Sequence, residues 1–319
     1  MVLLQVSICV ARAVGSINFE LTKKITRVAR DGSHVFFLFS RNIIIMANRK
    51  DSLGDRMKFN YENRSKTYLT RRTPVIIRLD GVSFHTFTRG FAKPFDKRLM
   101  ETMQEVTLGL CREIQGVVLG YTQSDEITLV LVDYKELDSQ AWYDYGVQKL
   151  CSVAASKATK LFNRIFAEKT AGLIKRYYDD FLPNKKKYEY LIDDVKKVVN
   201  AYERGLKNGA EFDARCFNIP MEEVLNCVLW RIKDCNRNSI NCLGQAHFSN
   251  KELHGKNTSE VQDMLMEKFK INWNDLSNFE KTGTLIVQGE HGFEIKDVCI
   301  KSYADLENFC EENGLDEFF

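Results

Sequence analysis

The chain has 319 residues, of which 44% are hydrophobic and 28% are charged, and its formal net charge is +3. This mixture is typical of a globular protein with one large core or two domains, and the nearly balanced charge excludes an overall basic field, so any nucleic-acid site would be a local patch. Nine scattered cysteines without a CxxC pair exclude a dense disulfide scaffold, and the lack of an apolar run of about 18 residues excludes a membrane span.

The first 50 residues differ in composition from the rest of the chain. They contain eight Lys or Arg residues and only two acidic residues, Glu20 and Asp31. Basic, acid-poor N-termini occur in transit peptides, but translation from Met46 would equally leave this stretch outside the fold. We therefore predict an N-terminal extension over residues 1–50 and keep both interpretations open. The reduced thiols favour an intracellular, cytoplasmic protein, and a transit peptide would make it mitochondrial.

Residues 51–220 predict alternating strands and helices. In chain order these are a buried strand over 75–79, a helix capped by Asp96, a hairpin of runs 116–121 and 127–132, a helix capped by Ser139, and a strand over 212–219. This βαββαβ order is the ferredoxin-like unit, so we predict an α+β fold with a palm like that of polymerases and nucleotide cyclases. A lysine-rich polar stretch, about residues 167–210, predicts a helical insertion on the surface.

The chain after Pro220 predicts a second, α+β region over residues 221–319. One helix starts at Met221, and another begins near Ser259, where Ser259 and Gln262 could form a capping box. Gly283–Gln288 and Phe293–Val298 predict a terminal hairpin.

Two carboxylates should meet in this topology, because Asp80 ends the first strand and Asp125 lies at the tip of the hairpin. Such a pair repels unless cations lie between its members, and Mg²⁺ favours one or two carboxylates together with substrate phosphates. Each motif alone is more typical of a turn. The βαββαβ order favours instead a site for two Mg²⁺ ions, which would serve an in-line displacement at a phosphate.

The turn after Asp80 strengthens this interpretation, because successive backbone N–H groups over residues 81–85 could hold a triphosphate. Gly81 would permit close approach of the backbone to a ligand, and its carbonyl could bind metal. His85 is open to two interpretations, a phosphate donor or a half-buried structural histidine.

Three segments in this order resemble the tRNA-histidine guanylyltransferase family: Arg78–His85 (RLDGVSFH), Phe91–Asp96 (FAKPFD) and Gly120–Glu126 (GYTQSDE). Shorter similarities follow at Phe212–Arg215, Trp230-Arg231, Phe269–Asn274 and Lys281–Leu285, so the resemblance spans about residues 51–287. Members of this family are 3′–5′ polymerases that add nucleotides to the 5′ end of a tRNA.

The resemblance implies roles for individual residues. Asp80, the Gly81 carbonyl and Asp125 would hold the metals, and Ala92 and Asp96 would face the base, where a carboxylate could favour guanine. The implied nucleotide site comprises Asp80, Gly81, Val82, Ser83, Phe84, His85, Ala92, Lys93, Asp96, Ser124, Asp125 and Lys149. Asp96 could also be the helix cap.

One departure from the family concerns the substrate. Enzymes dedicated to tRNA-histidine carry a His-Ile-Asn-Asn-Leu-Tyr-Asn block, whereas residues 236–242 here read NRNSINC. The resemblance therefore implies templated repair of 5′-truncated tRNA after activation of the 5′-monophosphate by ATP or GTP. Dedicated G addition to tRNA-histidine is the alternative. The family also implies a homotetramer, with tRNA, ATP, GTP and other nucleoside triphosphates as partners.

RNA binding would need basic patches, for which we name Lys185, Lys186 and Lys187, beside four tyrosines between 177 and 190, and Arg231 and Arg237. A solvated helix face is the plainer interpretation of each patch. Two further functions compete with the polymerase: a palm-fold nucleotide cyclase and a non-catalytic RNA-binding module.

Overall fold

The computed structural model describes residues 52–319. The extension predicted over residues 1–50, with both interpretations of it, lies outside this part of the chain. Among the described residues, no helix combines the length and apolar character that a membrane crossing requires. The described residues fall into two units, residues 52–66 and Thr67–Phe319. In the first, helix α1 (Leu53–Asn60) begins at Ser52, whose side chain accepts a hydrogen bond from the Asp55 backbone N–H.

The second unit contains the βαββαβ order that the sequence predicts. The elements in chain order are β1 (Val75–Gly81), the short helix α2 (Phe84–Phe87), α3 (Lys97–Glu113), β2 (Val117–Gln123), β3 (Glu126–Leu131), α4 (Val147–Arg176), α5 (Ile192–Asn208) and β4 (Phe212–Asn218). The remaining elements are α6 (Met221–His247), α7 (Asn250–Leu253), α8 (Thr258–Phe269), α9 (Asn278–Thr282), β5 (Thr284–Gly289), β6 (Gly292–Lys296) and α10 (Tyr303–Glu312).

The six strands named above form one sheet in the order β4-β1-β3-β2-β5-β6. Every neighbouring pair is antiparallel. The strand β1 therefore lies between β4 and β3. The predicted terminal hairpin is present as β5 and β6, and it extends the sheet beside β2. Strands from both sides of residue 220 thus share one sheet, and the division into domains at that residue stays a prediction.

Alternation along β1 distributes its side chains between two cores. Ile77 and Leu79 pack with α3 and α4 on one face of the sheet. Ile76 packs on the other face, in a cluster that contains Val228 of α6 and Leu306 of α10. Because Asp80 is four residues after Ile76, alternation assigns it to the second face, the face on which α6 packs.

Two helix starts differ from the sequence expectation. Ser139 does not begin α4, because Tyr143, Asp144 and Tyr145 have positive φ and break the helical path until Gly146. Ser259 does not cap α8, which begins two residues earlier, with Asn257 as its N-cap.

The predicted insertion consists of the end of α4, a π-helical turn over Tyr177–Phe181, and α5. Its middle is exposed, as expected, but α5 also buries one face. Ala201 and Tyr202 on that face belong to the core that holds α3 and α4. The insertion therefore contributes one face of α5 to the core and is not only a surface feature.

Candidate active site

The end of β1 and the β2–β3 turn bring two carboxylates together. Asp80 pairs in register with Glu126 on one side and with Asp213 on the other. Asp125 lies directly before Glu126, at the tip of the hairpin, and its carbonyl oxygen accepts a hydrogen bond of 3.2 Å from the Gly81 backbone N–H. Asp80 and Asp125, distant in sequence, therefore occupy one end of neighbouring strands.

The surroundings of Asp125 make its negative charge costly. Burial raises the pKa of this carboxyl, and the nearby negative charge of Asp80 raises it further. The Ser124 hydroxyl, which lies 2.9 Å from Asp125 Oδ1, opposes this shift by donating a hydrogen bond. A cation bound between the two carboxylates would relieve both the burial penalty and the repulsion.

The donor set fits a hard divalent cation. Carboxylate oxygens are ligands that Mg²⁺ prefers, and Mg²⁺ commonly completes its shell with phosphate oxygens and water. Within residues 52–319 there is no group of three or more His, Cys, Asp or Glu side chains around one metal position. A pair of carboxylates at the edge of an open cavity fits this partial coordination.

A cavity of about 510 Å³ opens beside these carboxylates. Ten of the sequence-predicted nucleotide residues line it: Asp80, Gly81, Ser83, Phe84, His85, Ala92, Lys93, Asp96, Ser124 and Asp125. Val82, which is 44% exposed, lies instead in a neighbouring groove. Three separate segments of the sequence thus converge on one space of the size of a nucleotide site.

The turn after Asp80 has a constrained backbone. Ser83 has a φ of 55°, in the left-handed region, and begins the short helix α2. A Cβ at Gly81 would lie 2.1 Å from the Phe84 ring, so glycine is required there. The Phe84 ring is buried against Phe162 and Phe212, and only its backbone is available to a ligand.

His85 is exposed and lines the cavity, so the structure does not support the half-buried alternative. Its imidazole is accessible from the cavity.

The wall opposite the carboxylates is the segment 91–96. Asp96 caps α3, as predicted, by accepting a hydrogen bond of 3.0 Å from the Leu99 backbone N–H. Its other oxygen accepts from the Ala92 backbone N–H, also at 3.0 Å. The Tyr202 hydroxyl contacts both oxygens, at 3.0 and 2.8 Å. No sequence pattern pointed to Tyr202, which is 106 residues further along the chain.

The structure does not bring Lys149 to the cavity. Its ammonium nitrogen lies 4.8 Å from the centroid of the Tyr143 ring, near the start of α4, and it is absent from the lining. The proposed contact between Lys149 and phosphate is therefore not supported by this geometry.

The two arginines proposed to bind RNA lie in different surroundings, and the structure corrects the first of them. Arg231 is 8% exposed and pairs with Glu126, with contacts of 2.6 Å from both Nε and a terminal nitrogen. It also pairs with Asp234 at 2.9 Å. Burial and pairing leave Arg231 unavailable to RNA. Arg237 is exposed but pairs with Asp234 too. Lys185, Lys186 and Lys187 are exposed, as an RNA patch requires.

Comparison with known proteins adds an independent observation. Residues 54–220 match the profile of the family described as tRNAHis guanylyltransferase. An uncharacterized protein of Acanthamoeba polyphaga mimivirus is 28% identical over 246 residues, which cover 74% of this chain and 77% of that protein. A probable tRNA(His) guanylyltransferase of Dictyostelium discoideum is 25% identical over 225 residues, covering 66% and 74%.

Solved structures show the same similarity. A bacterial tRNA(His) guanylyltransferase-like protein in complex with ATP superposes with a TM-score of 0.67 and 35% identity, covering 84% of this chain and 100% of that chain. A GTP complex of a protein with the same description gives a TM-score of 0.61 and 31% identity, covering 82% and 97%. The tRNA(His) guanylyltransferase of Saccharomyces cerevisiae gives 0.55 and 21%, covering 78% and 99%.

Proposed function

Because this chain belongs to the tRNAHis guanylyltransferase family of nucleotidyltransferases, we propose that it extends tRNA in the 3′–5′ direction and repairs truncated 5′ ends by templated addition. The observation that carries the proposal is the meeting of Asp80 and Asp125 at the mouth of the cavity. Around them the four strands β4-β1-β3-β2 have the order of a polymerase palm, and we assign that fold to them.

Asp80, the Gly81 carbonyl and Asp125 would hold two Mg²⁺ ions. When bound, such ions neutralise phosphate charge and lower the pKa of an attacking hydroxyl. The backbone N–H groups of residues 83–85 would hold the triphosphate, because those of Gly81 and Val82 already donate to the Asp125 and Glu211 carbonyls. Ser124 would lie beside it, and Lys93 and His85 would add positive charge or donors at its edge.

The reaction would take place in two displacements at phosphorus. In the first, an oxygen of the RNA 5′-monophosphate attacks the α-phosphate of ATP or GTP, and pyrophosphate leaves. In the second, the 3′-hydroxyl of the incoming nucleotide attacks the activated 5′-phosphate, and AMP or GMP leaves. The chain supplies positioning and charge neutralisation, so no covalent intermediate with a side chain is required.

Templated repair is favoured over dedicated G addition by two observations. Residues 236–242 lack the block that resemblance associates with tRNA-histidine specificity. The chain is also 35% identical to the bacterial guanylyltransferase-like protein but 21% identical to the yeast guanylyltransferase. We also propose that the protein is a homotetramer that shares one tRNA among its subunits. The exposed lysines 185–187 would lie at its RNA-binding surface.

The test uses a tRNA that lacks its first 5′ nucleotide and carries a 5′-monophosphate. Each nucleoside triphosphate is supplied separately with ATP, and the base opposite the gap is varied. We expect the added nucleotide to follow the opposing base, because pairing would select it. G addition that ignores the opposing base would contradict templated repair and favour tRNA-histidine maturation. A 5′-triphosphorylated tRNA, which carries its own leaving group, serves as the control that bypasses activation.

A further inference from the structure

The segment that follows α2 contributes to the cavity, although part of it lies in solvent. Thr88 lines the cavity. Phe87 and Phe91, on either side of it, pack in the core with ring centroids 5.5 Å apart. Between these anchors Arg89 and Gly90 are exposed, and Gly90 has a φ of 89°. Glycine gives the backbone more conformational freedom than other residues, so the cavity wall at Thr88 depends on restraint from elsewhere in the fold.

That restraint comes from the insertion predicted over residues 167–210. Arg204, on α5, donates a hydrogen bond of 3.1 Å from Nη2 to the Phe87 carbonyl, and the same nitrogen donates to the Arg89 carbonyl. These two carbonyls flank Thr88 along the chain. The contacts connect residues that are 117 and 115 positions apart, so no local pattern in the sequence indicates them.

Helix α5 also packs directly behind the same segment. A Cβ at Gly205 would lie 3.2 Å from the Phe87 ring, and a Cβ at Gly90 would lie 3.2 Å from the Ala201 side chain. The helix and the segment therefore approach each other closely. Arg204 is thus carried by an element whose position relative to the segment is fixed by packing.

From these contacts we propose that Arg204 positions the Thr88 side of the nucleotide cavity and so sets its affinity for nucleoside triphosphates. By holding the carbonyls of Phe87 and Arg89, its guanidinium orders the segment before a nucleotide arrives, which lowers the cost of ordering it on binding. Arg204 does not line the cavity, so it acts through the segment and is a positioning residue rather than a catalytic one. This inference rests on the proposed function, because that function places a nucleotide in the cavity.

The test is the substitution Arg204→Met, which keeps the apolar stem of the side chain and removes its donors. We expect the Kd for ATP and the Kd for GTP, measured by calorimetric titration with Mg²⁺, each to rise about fivefold, the effect of roughly one net hydrogen bond. The two nucleotides should be affected alike, because Arg204 contacts the main chain and not a base. KM for ATP in the activation of a 5′-monophosphorylated tRNA should rise with Kd, whereas kcat should change little.

Lys207→Met is the matched control, because Lys207 is an exposed cation in the last turn of the same helix and does not line the cavity. Its Kd values should equal those of the wild type. Arg204→Lys should restore part of the lost affinity, since an ammonium group keeps the charge and offers three donors to the same carbonyls.

Two further measurements separate positioning from a general structural role. Arg204 is exposed, so the midpoint of urea unfolding should stay near that of the wild type in Arg204→Met. Hydrogen exchange should become faster at the amides of Thr88 and Phe91, which donate to the Phe84 and Thr88 carbonyls. Unchanged Kd values, or weaker binding that accompanies a lower unfolding midpoint, would overturn the role of Arg204.

The same titrations distinguish this inference from the proposed function. A wild-type protein that binds ATP but activates no RNA would refute the proposed function alone, and the Kd of Arg204→Met relative to the wild type would still decide the role of Arg204. A wild-type protein that binds neither nucleotide would refute both.

Discussion

Four carboxylates lie at the end of β1, those of Asp80, Asp125, Glu126 and Asp213. Asp213, on the neighbouring strand, contacts the exposed Arg215 at 3.3 Å. Glu126 forms a two-point ion pair with the buried Arg231, whereas Asp80 and Asp125 have no cationic partner among the ion pairs of residues 52–319. Burial raises the pKa of Glu126, and the guanidinium opposes that shift. Arg231 therefore neutralises one negative charge and leaves two carboxylates to attract cations.

Substitution Arg231→Met should destabilise the fold by about 3–5 kcal/mol, because it leaves Glu126 buried without its partner. Urea unfolding followed by circular dichroism would measure this change. In the double variant Arg231→Met/Glu126→Gln, much of the lost free energy of unfolding should return, since the unpaired charge is gone. A loss below about 1 kcal/mol in the single variant, typical of an exposed pair, would contradict this account.

The sequence predicts the two metal carboxylates but not their surroundings. Asp80 and Asp125 could be paired because a strand end and a hairpin tip are local patterns, and the βαββαβ order places them together. Glu126, the partner of Arg231, is 105 residues from it in the sequence. Tyr202, the partner of Asp96, is 106 residues from it. Local charge patterns do not predict burial by elements that are distant in sequence. For this reason Arg231 is an RNA-binding candidate from the sequence alone.

The starts of helices show that local sequence rules also predict element boundaries incompletely. Asp96 was identified as the cap of α3, because its side chain precedes an apolar run with helical spacing, and the structure confirms it. Ser139 and Ser259 satisfied the same rule and were wrong. Near Ser139, the burial of Trp142 and Tyr145 accompanies a left-handed backbone that delays α4. At α8, Asn257 and Glu260 form the capping box instead.

The corrected start of α8 makes a prediction. Asn257 accepts from the Glu260 backbone N–H at 3.0 Å, and Glu260 accepts in return from the Asn257 backbone N–H at 2.9 Å. Asn257→Ala should therefore cost about 1 kcal/mol of stability. Ser259→Ala, two residues along the same helix, should leave the midpoint of urea unfolding nearly unchanged. Equal effects of the two substitutions would show that the cap is misassigned.

At the scale of the whole molecule, one sheet joins the segments that the sequence divided into two regions. The strand β5 pairs with β2, with Leu119 opposite Val287. The terminal hairpin was predictable from its turn residues and alternating pattern, but its edge partner was not, because strand pairing over such separations depends on the complete fold. The four strands around Asp80 were predictable in order, since the split βαβ rule specifies their neighbours.

The same sheet explains how one end of the molecule can serve phosphate chemistry in a protein of net charge +3. Asp80 and Asp125 bring negative charge to the mouth of the cavity, while the turn after β1 presents the backbone N–H groups of residues 83–85 beside them. Divalent cations would link the carboxylates to a bound triphosphate, because they bind carboxylate oxygens on one side and phosphate oxygens on the other. The central claim is that Asp80 and Asp125 carry the reaction together.

The most direct measurement compares Asp80→Asn and Asp125→Asn with Asp138→Asn, an exposed loop control. Single-turnover addition to a 5′-truncated tRNA is followed with Mg²⁺ present, and tRNA affinity is measured in parallel. We predict that each site variant loses about 100-fold or more of its rate, since charge stabilisation at the reacting phosphate is lost, while affinity for tRNA stays near that of the wild type. Near-normal turnover in either site variant would contradict the account.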